Sequence, residues 1–222
     1  MSEDRVRLED GSDLMICEAD EAAAELVAQA HPLPRGGRAS ETVYRAYYLA
    51  KSLLYVRAPE AGIACGMIDG ELAGFIFYCR DLTRLRGFML SPGTLLRLAG
   101  NALLGRFGYR PSFWWQALRW GWQHLRRPRA GGDEPASDLP VYTCRIGTTH
   151  IVDAFRRRGV ASALMEQVQA MLAAQGASEV ALWVAEDNEP ARRLYEKRGY
   201  RAVGRQRRID ETCLLMVRDL KD

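Results

Sequence analysis

The sequence predicts an α/β (α+β) domain built around a mixed sheet. Three observations carry this. From residue 141 onward strand-like and helix-like stretches alternate. Asp69-Gly70 joins two apolar runs as a tight hairpin. Two further strand-like runs close the chain. With 222 residues, 48% of them hydrophobic, the chain can build one well-formed core with material to spare.

Residues 14–17 read as a short strand. Residues 20–30 are rich in Ala and Glu and predict a helix that stops near His31-Pro32. Ser40 is placed to cap a second helix reaching about Leu54. Strands follow over 62–68 and 71–78. Past Asp81 the chain changes character. Residues 82–132 hold no acid, nine arginines and four of the five tryptophans: Trp114, Trp115, Trp120 and Trp122. One helix is predicted over 95–104. Phe113, Ala117, Leu118, Trp122 and Leu125 recur at helical spacing in another. A polar linker rich in Gly and Pro ends this insert. A strand (141–152), a helix (157–175), a strand (179–185) and a helix (189–197) come next, then strands over 200–207 and 212–219. The organisation expected is one domain, 1–222, carrying a helical insert over 82–137.

Composition excludes several classes. The formal net charge is only +3, so no nucleic-acid partner is expected. No apolar run reaches the length of a membrane span, so no integral membrane segment is expected. Five dispersed cysteines form no CxxC pair, which fits reduced thiols in a cytoplasmic protein. The three histidines lie far from any paired cysteines, so no metal is expected.

The stretch "FRRRGVASALMEQV" (155–168) sets a physical problem. Arg156, Arg157 and Arg158 crowd a predicted helix start, the positive end of the dipole. An anion would resolve the conflict. Gly159 and Ala161 have little or no side chain, so an anion can approach the N–H groups of the first turn, and the arginines can add charge-assisted hydrogen bonds. A pyrophosphate fits. The Walker A ending and the GxGxxG pattern are both absent. Alone, Arg156-x-x-Gly159-x-Ala161 equally fits a solvated basic helix start with small residues for packing.

A second stretch, "EDNEPARRLYEKRGYRAVG", changes the balance. It contains Asn188-x-x-Ala191-x-x-Leu194-Tyr195-x-x-x-Gly199-Tyr200 after a predicted strand. In this order and spacing, "HIVDAFRRRGVASALM" and "NEPARRLYEKRGY" resemble the paired motifs of the GNAT superfamily of acyl-CoA-dependent N-acyltransferases. The resemblance covers about 13–81 and 138–220 and leaves the insert outside.

The resemblance implies a mostly antiparallel sheet whose fourth and fifth strands part at a bulge, with the pantetheine arm of acetyl-CoA in the gap. Backbone groups near Thr149, Ile151 and Val152 would bond the pantetheine and the thioester. The N–H groups of Arg156, Arg157, Arg158, Gly159, Val160, Ala161 and Ser162 would hold the pyrophosphate. Asn188 matches a pantetheine contact, and Tyr195 matches the proton donor to the departing thiolate. Two departures stand out: Asp153 replaces a frequent proline, and Ala161 replaces a frequent glycine. The chemistry agrees, since acyl transfer needs a neutral amine, an N–H donor for the carbonyl oxygen and an acid for the sulfur. The strand over 141–152 contains no Glu. His150 is its only side chain titrating near neutrality and is the candidate base, with Glu41 and Asp69 more distant.

The expected activity is acetyl transfer from acetyl-CoA to a small-molecule amine. An idle acyl-CoA-binding module and a protein N-acetyltransferase are the alternatives. The insert admits several roles: a packed hairpin, a homodimer contact, a lid over a large or anionic acceptor, adhesion to an acidic membrane surface, or RNA binding.

Overall fold

A computed structural model describes residues 4–33, 41–103, 139–208 and 211–221. Its strands are β1 (Asp4–Arg7), β2 (Asp13–Glu18), β3 (Ala61–Ile68), β4 (Glu71–Cys79), β5 (Arg145–Ile151), β6 (Glu179–Ala185), β7 (Arg201–Arg208) and β8 (Glu211–Asp219). Its helices are α1 (Glu21–Ala30), α2 (Glu41–Arg57), α3 (Leu82–Met89), α4 (Pro92–Leu103), α5 (Val160–Ala174) and α6 (Glu189–Lys197). The sheet runs β1-β2-β3-β4-β5-β6-β8-β7. Among its pairings only β5 with β6 is parallel.

Two helical layers cover this sheet, and strand periodicity decides what each receives. Leu14, Ile16, Ala64, Ile76, Tyr78, Ile146 and Leu182 meet the apolar stripe Val160, Leu164, Met165, Val168 and Leu172 of α5. Alternate residues Ile63, Cys65, Phe75 and Phe77 face the other way, against Val27 of α1 and Tyr55 and Val56 of α2. Because β3 and β4 are buried on both faces, they read as unbroken apolar runs. Asp20 caps α1 by accepting the Ala23 N–H at 2.8 Å. Arg45 of α2 ties down the other end of α1, donating to the carbonyls of Ala28 (3.1 Å), Gln29 and His31 (2.8 Å).

Several boundaries differ from the sequence-based expectation. β1 was not foreseen: Asp4-Arg5-Val6-Arg7 has one apolar residue, and its order comes from pairing with β2 at the sheet edge. The strand expected from 141 begins at Arg145. Just before it the Thr143 carbonyl is taken outside the sheet by Leu82 N–H, and the Cys144 carbonyl accepts from Ala181 N–H in the first rung of the β5–β6 ladder. Within the basic segment, α3 docks through Leu85 against Ala58, Ala61 and Cys79. The Ser40 cap and the second predicted insert helix with its tryptophans lie outside the described residues. Among the described residues no helix is long and apolar enough to cross a membrane.

The Asp69-Gly70 turn has φ of 51° and 81°, the left-handed pair that a two-residue hairpin loop needs. Space is open around Gly70, so its constraint is purely conformational. Gly70→Ala should cost about 1 kcal/mol in urea unfolding. Gly87→Ala, on the exposed side of α3 with equally open space, should instead gain about 0.5–1 kcal/mol.

Candidate active site

β5 and β6 share only two residue pairs, Arg145↔Ala181 and Ile146↔Leu182. Beyond Ile146 they part. On its other side β5 stays on β4 as far as Gly74↔Ile151. That ladder slips once: Ile76 faces Thr149 and Tyr78 faces Ile146, so Gly147 and Thr148 together oppose Phe77. This is a β-bulge, which bends a strand and sharpens its twist. A side chain on Gly147 would press on Phe77, with a Cβ 3.3 Å from the Phe77 Cβ. The bulge lies where the two strands separate.

One bond sets which backbone groups face the gap. Val152 N–H donates to Ala73 O at 2.9 Å, on the β4 side. By antiparallel alternation, the N–H and C=O of Thr149 and Ile151 turn away from β4, toward the gap. The Val152 carbonyl accepts from Phe155 N–H at 2.9 Å, so both Val152 backbone groups are engaged within the chain. Of the three positions expected to bond the pantetheine and thioester, Thr149 and Ile151 turn their backbone groups to the gap and Val152 does not. The Ile151 carbonyl also accepts from Arg156 Nε at 3.3 Å.

After β5 the chain makes a 3₁₀ turn over Asp153–Phe155. Arg157 and Gly159 then adopt positive φ, 63° and 87°. These residues delay α5, which starts at Val160 rather than at Arg157. Gly159 is its N-cap and offers no side-chain bond, so the first-turn amides around Val160, Ala161 and Ser162 have no side-chain cap. The arginines sit ahead of the dipole, and two have carboxylate partners. Arg156 pairs with Asp153 at 2.7 Å. Arg158 meets Asp10 at 3.5 Å and lies over the Phe155 ring at 5.5 Å. Hydrogen bonds from Ser12, then Arg158, hold the Asp10 carboxyl below its ordinary pKa. Among the described residues Arg157 makes no ion pair.

The second motif builds α6 and aims Tyr195. Asn188 caps the helix, its Oδ1 accepting from Ala191 N–H at 3.3 Å. At the far end Gly199 has φ 79°, its N–H reaches Glu196 O at 3.0 Å, and Tyr200 N–H reaches Tyr195 O at 3.0 Å. This is a Schellman cap, which accounts for the glycine. Tyr195 is 7% exposed and packs on Tyr200, with ring centroids 5.7 Å apart. Its phenol lies beside Thr149. The Thr149 hydroxyl is close enough to oppose slightly the rise in the Tyr195 pKa, yet its buried Oγ1 lacks a partner of good geometry. Burial dominates and raises that pKa, so the phenol is protonated at neutral pH and available as a donor.

His150 lies on the opposite face, opposed to Phe75, with ring centroids 5.5 Å apart. Burial first and Arg156 second lower its pKa, against Asp153. The ring is therefore neutral at pH 7 and can accept a proton. Glu41 is paired with Arg45 at 3.2 Å, and Asp69 sits in the β3–β4 turn.

The His150 face holds residues that motif reasoning missed. Lys51 of α2 donates to Thr148 Oγ1 at 3.1 Å and lies 4.4 Å from the Phe77 centroid. His31 stacks on Tyr48 at 3.6 Å, and Tyr55 meets Phe77 edge-on at 4.9 Å. The available signal was composition: the chain has three lysines, and Lys51 is the only one before residue 197. A separate cleft of about 320 Å³, lined by Glu60, Arg80, Arg84, Tyr142 and 175–179, opens at the other end of the sheet, where β5 and β6 are still paired.

A mixed sheet that parts between its two parallel strands, with a helix N-terminus at the mouth, is the architecture of an acyl-CoA-dependent acyltransferase. The chain belongs to the Acetyltransferase (GNAT) family, whose sequence profile matches residues 24–200. Solved structures agree on the fold. A putative GNAT-family acetyltransferase from Bordetella pertussis is 16% identical, with 97% of this chain and 99% of that one covered and a TM-score of 0.57. The PaiA N-acetyltransferase from Thermoplasma acidophilum, solved with coenzyme A, is 10% identical (93% and 98% covered, TM-score 0.54). A ribosomal-protein alanine N-acetyltransferase from Escherichia coli is 13% identical (93% and 94% covered, TM-score 0.50).

His31 yields a pH prediction. Burial lowers its pKa from 6.5 to about 4. The unfolded chain therefore takes up a proton that the folded chain refuses as pH falls from about 6.5 to 4, and this neutral-ring contribution to stability is lost across that window. His31→Phe should unfold with a shallower loss of stability between pH 6.5 and 4 than the parent, by about 1–3 kcal/mol, measured by urea titration at each pH.

Proposed function

We propose that the protein transfers the acetyl group of acetyl-CoA directly to the amine of a small-molecule acceptor. The observation that carries this reading is the strand gap. It is edged by Thr149 and Ile151, faces the uncapped start of α5 and has the Tyr195 phenol beside Thr149. Such a gap fits the donor. A pantetheine arm carries amide groups that can pair with a free strand edge, and a pyrophosphate suits a helix N-terminus whose cap is glycine. When bound, acetyl-CoA supplies the activated acyl carbon.

The chain's residues meet the remaining demands. His150, held neutral, takes the proton of the incoming ammonium or of the attacking amine, directly or through water. A backbone N–H on the gap edge of β5 stabilises the negative charge that builds on the thioester oxygen. Tyr195, held protonated, gives its proton to the departing sulfur. The N–H groups of Arg156 through Ser162 hold the pyrophosphate, with Gly159 and Ala161 allowing close approach and Arg157 contributing charge. Asn188, which caps α6 with Oδ1, keeps its amide NH₂ for the pantetheine. The products are an N-acetylated amine and free CoA thiol, which balances one N–C bond formed against one C–S bond broken.

On this reading residues 1–222 belong to one domain, with 82–137 inserted in its sequence between β4 and β5. Five free cysteines support a cytoplasmic location, and burial pushes the Cys65 and Cys79 thiols up to about 12.

Calorimetry with acetyl-CoA and thiol release over an amine library test the proposal. Tyr195→Phe should bind acetyl-CoA within about twofold of the parent and lose about 10²- to 10⁴-fold in turnover. Gly159→Val should weaken acetyl-CoA binding at least about tenfold, and far more than Arg158→Ala, because it blocks the cradle rather than one charge. Absence of binding at millimolar acetyl-CoA contradicts the reading. Binding without thiol release from any amine makes the chain an idle acyl-CoA-binding module.

A further inference from the structure

Lys51, His31 and His150 occupy the same face of the sheet, and none makes an ion pair with a carboxylate among the described residues. The nearby Arg45 is used up by Glu41 and by the last carbonyls of α1. His31 is held neutral by burial, and His150 is pushed the same way. The net charge of this group therefore rests on one ammonium. Lys51 is largely withdrawn from water, and burial alone brings its pKa down to about 8, so it is still mostly charged at neutral pH. One of its three hydrogens goes to Thr148 Oγ1 at 3.1 Å, and the Phe77 ring lies 4.4 Å away. A hydroxyl and an aromatic face partly compensate a cation, but a withdrawn charge without a counter-ion is costly.

The position of this cation gives it meaning. Thr148 belongs to the bulge of β5 and immediately precedes Thr149, whose backbone edges the gap. His150 lies two residues further on the Lys51 side. Lys51 thus stands where an acceptor would meet the acyl donor. We propose that the acceptor is an amine that also carries a carboxylate, and that the Lys51 ammonium binds this carboxylate. A single positive charge matches a single negative one, whereas a dianionic phosphate would be left half-compensated. Tyr55, partly exposed on this face beside the buried Phe77, supplies an apolar wall for the rest of a small amino-acid-like molecule. This inference rests on the acetyl-transfer reading above and narrows its substrate class.

The test compares matched amines. Free amino acids and their carboxamides are offered with acetyl-CoA, and thiol release gives kcat and KM for each. The carboxylates should be preferred at least tenfold in kcat/KM, mostly through KM. In Lys51→Met that ratio should fall to near one, and Lys51→Arg should restore part of it. Carboxamides used as well as or better than carboxylates would overturn the inference. So would a Lys51→Met variant whose kcat falls equally for both series. A second measurement needs no turnover. Deuterated acetic anhydride labels the three lysines, with exposed Lys197 and Lys221 as internal controls. With CoA present, N-acetyl-amino acids should slow Lys51 labelling severalfold, and their carboxamides should not. If no amine is acetylated, this arm decides: equal labelling with both probes overturns the inference. Failure of acetyl-CoA to bind in calorimetry is a separate result, which removes the activity itself.

Discussion

Among the described residues, the backbone of β5 from Gly147 to Ile151 has a ladder partner on one side only. A strand inside a sheet with one free edge is unusual, because unpaired N–H and C=O groups within a protein are costly. Here the bulge at Gly147 and Thr148 removes the partner. It turns β5 away from β6 after two residue pairs while keeping β5 on β4. Neighbouring features compensate or exploit this opening. Arg156 reaches back to the Ile151 carbonyl, the chain reverses into the start of α5, and Tyr195 comes up beside Thr149 from α6.

The alternation of β5 divides the labour. Thr149 and Ile151 belong to the face carrying α5 and Tyr195, while Thr148 and His150 belong to the face carrying α1 and α2. Alternation puts Thr148 on the second face next in chain to Thr149, and the bulge sets Thr148 together with Gly147 opposite Phe77. One face is built around a buried phenol that keeps its proton. The other is built around a histidine that lacks one and a lysine with no carboxylate partner among the described residues. A phenol that keeps its proton and a neutral imidazole thereby lie on opposite faces of β5.

The repetitive elements were legible in the sequence because local chemistry determines them. Both α6 and β6 match their expected bounds, since Asn188, Pro190 and Gly199 mark the helix ends by capping chemistry. Asp69-Gly70 announced its turn for the same reason. What failed depended on distant partners. β1 exists only through β2, and the start of α5 is moved by positive φ at Arg157, which a sequence does not display. The three arginines looked like a conflict with one helix dipole. In the fold Asp153 and Asp10 each claim one of them, and Asp10 is far away in sequence. Lys51 was invisible to motif reading because Thr148 is its partner across 97 residues.

On the acetyl-transfer reading, the edge of β5 receives the donor. Residue-resolved amide hydrogen exchange with and without acetyl-CoA tests it most directly. The N–H groups of Thr149 and Ile151 and those at the start of α5 should become strongly protected on binding, while Val152, already bonded to Ala73, should change little. Unchanged exchange along β5, with protection appearing instead around residues 175–179 in the cleft at the other end of the sheet, would contradict the account.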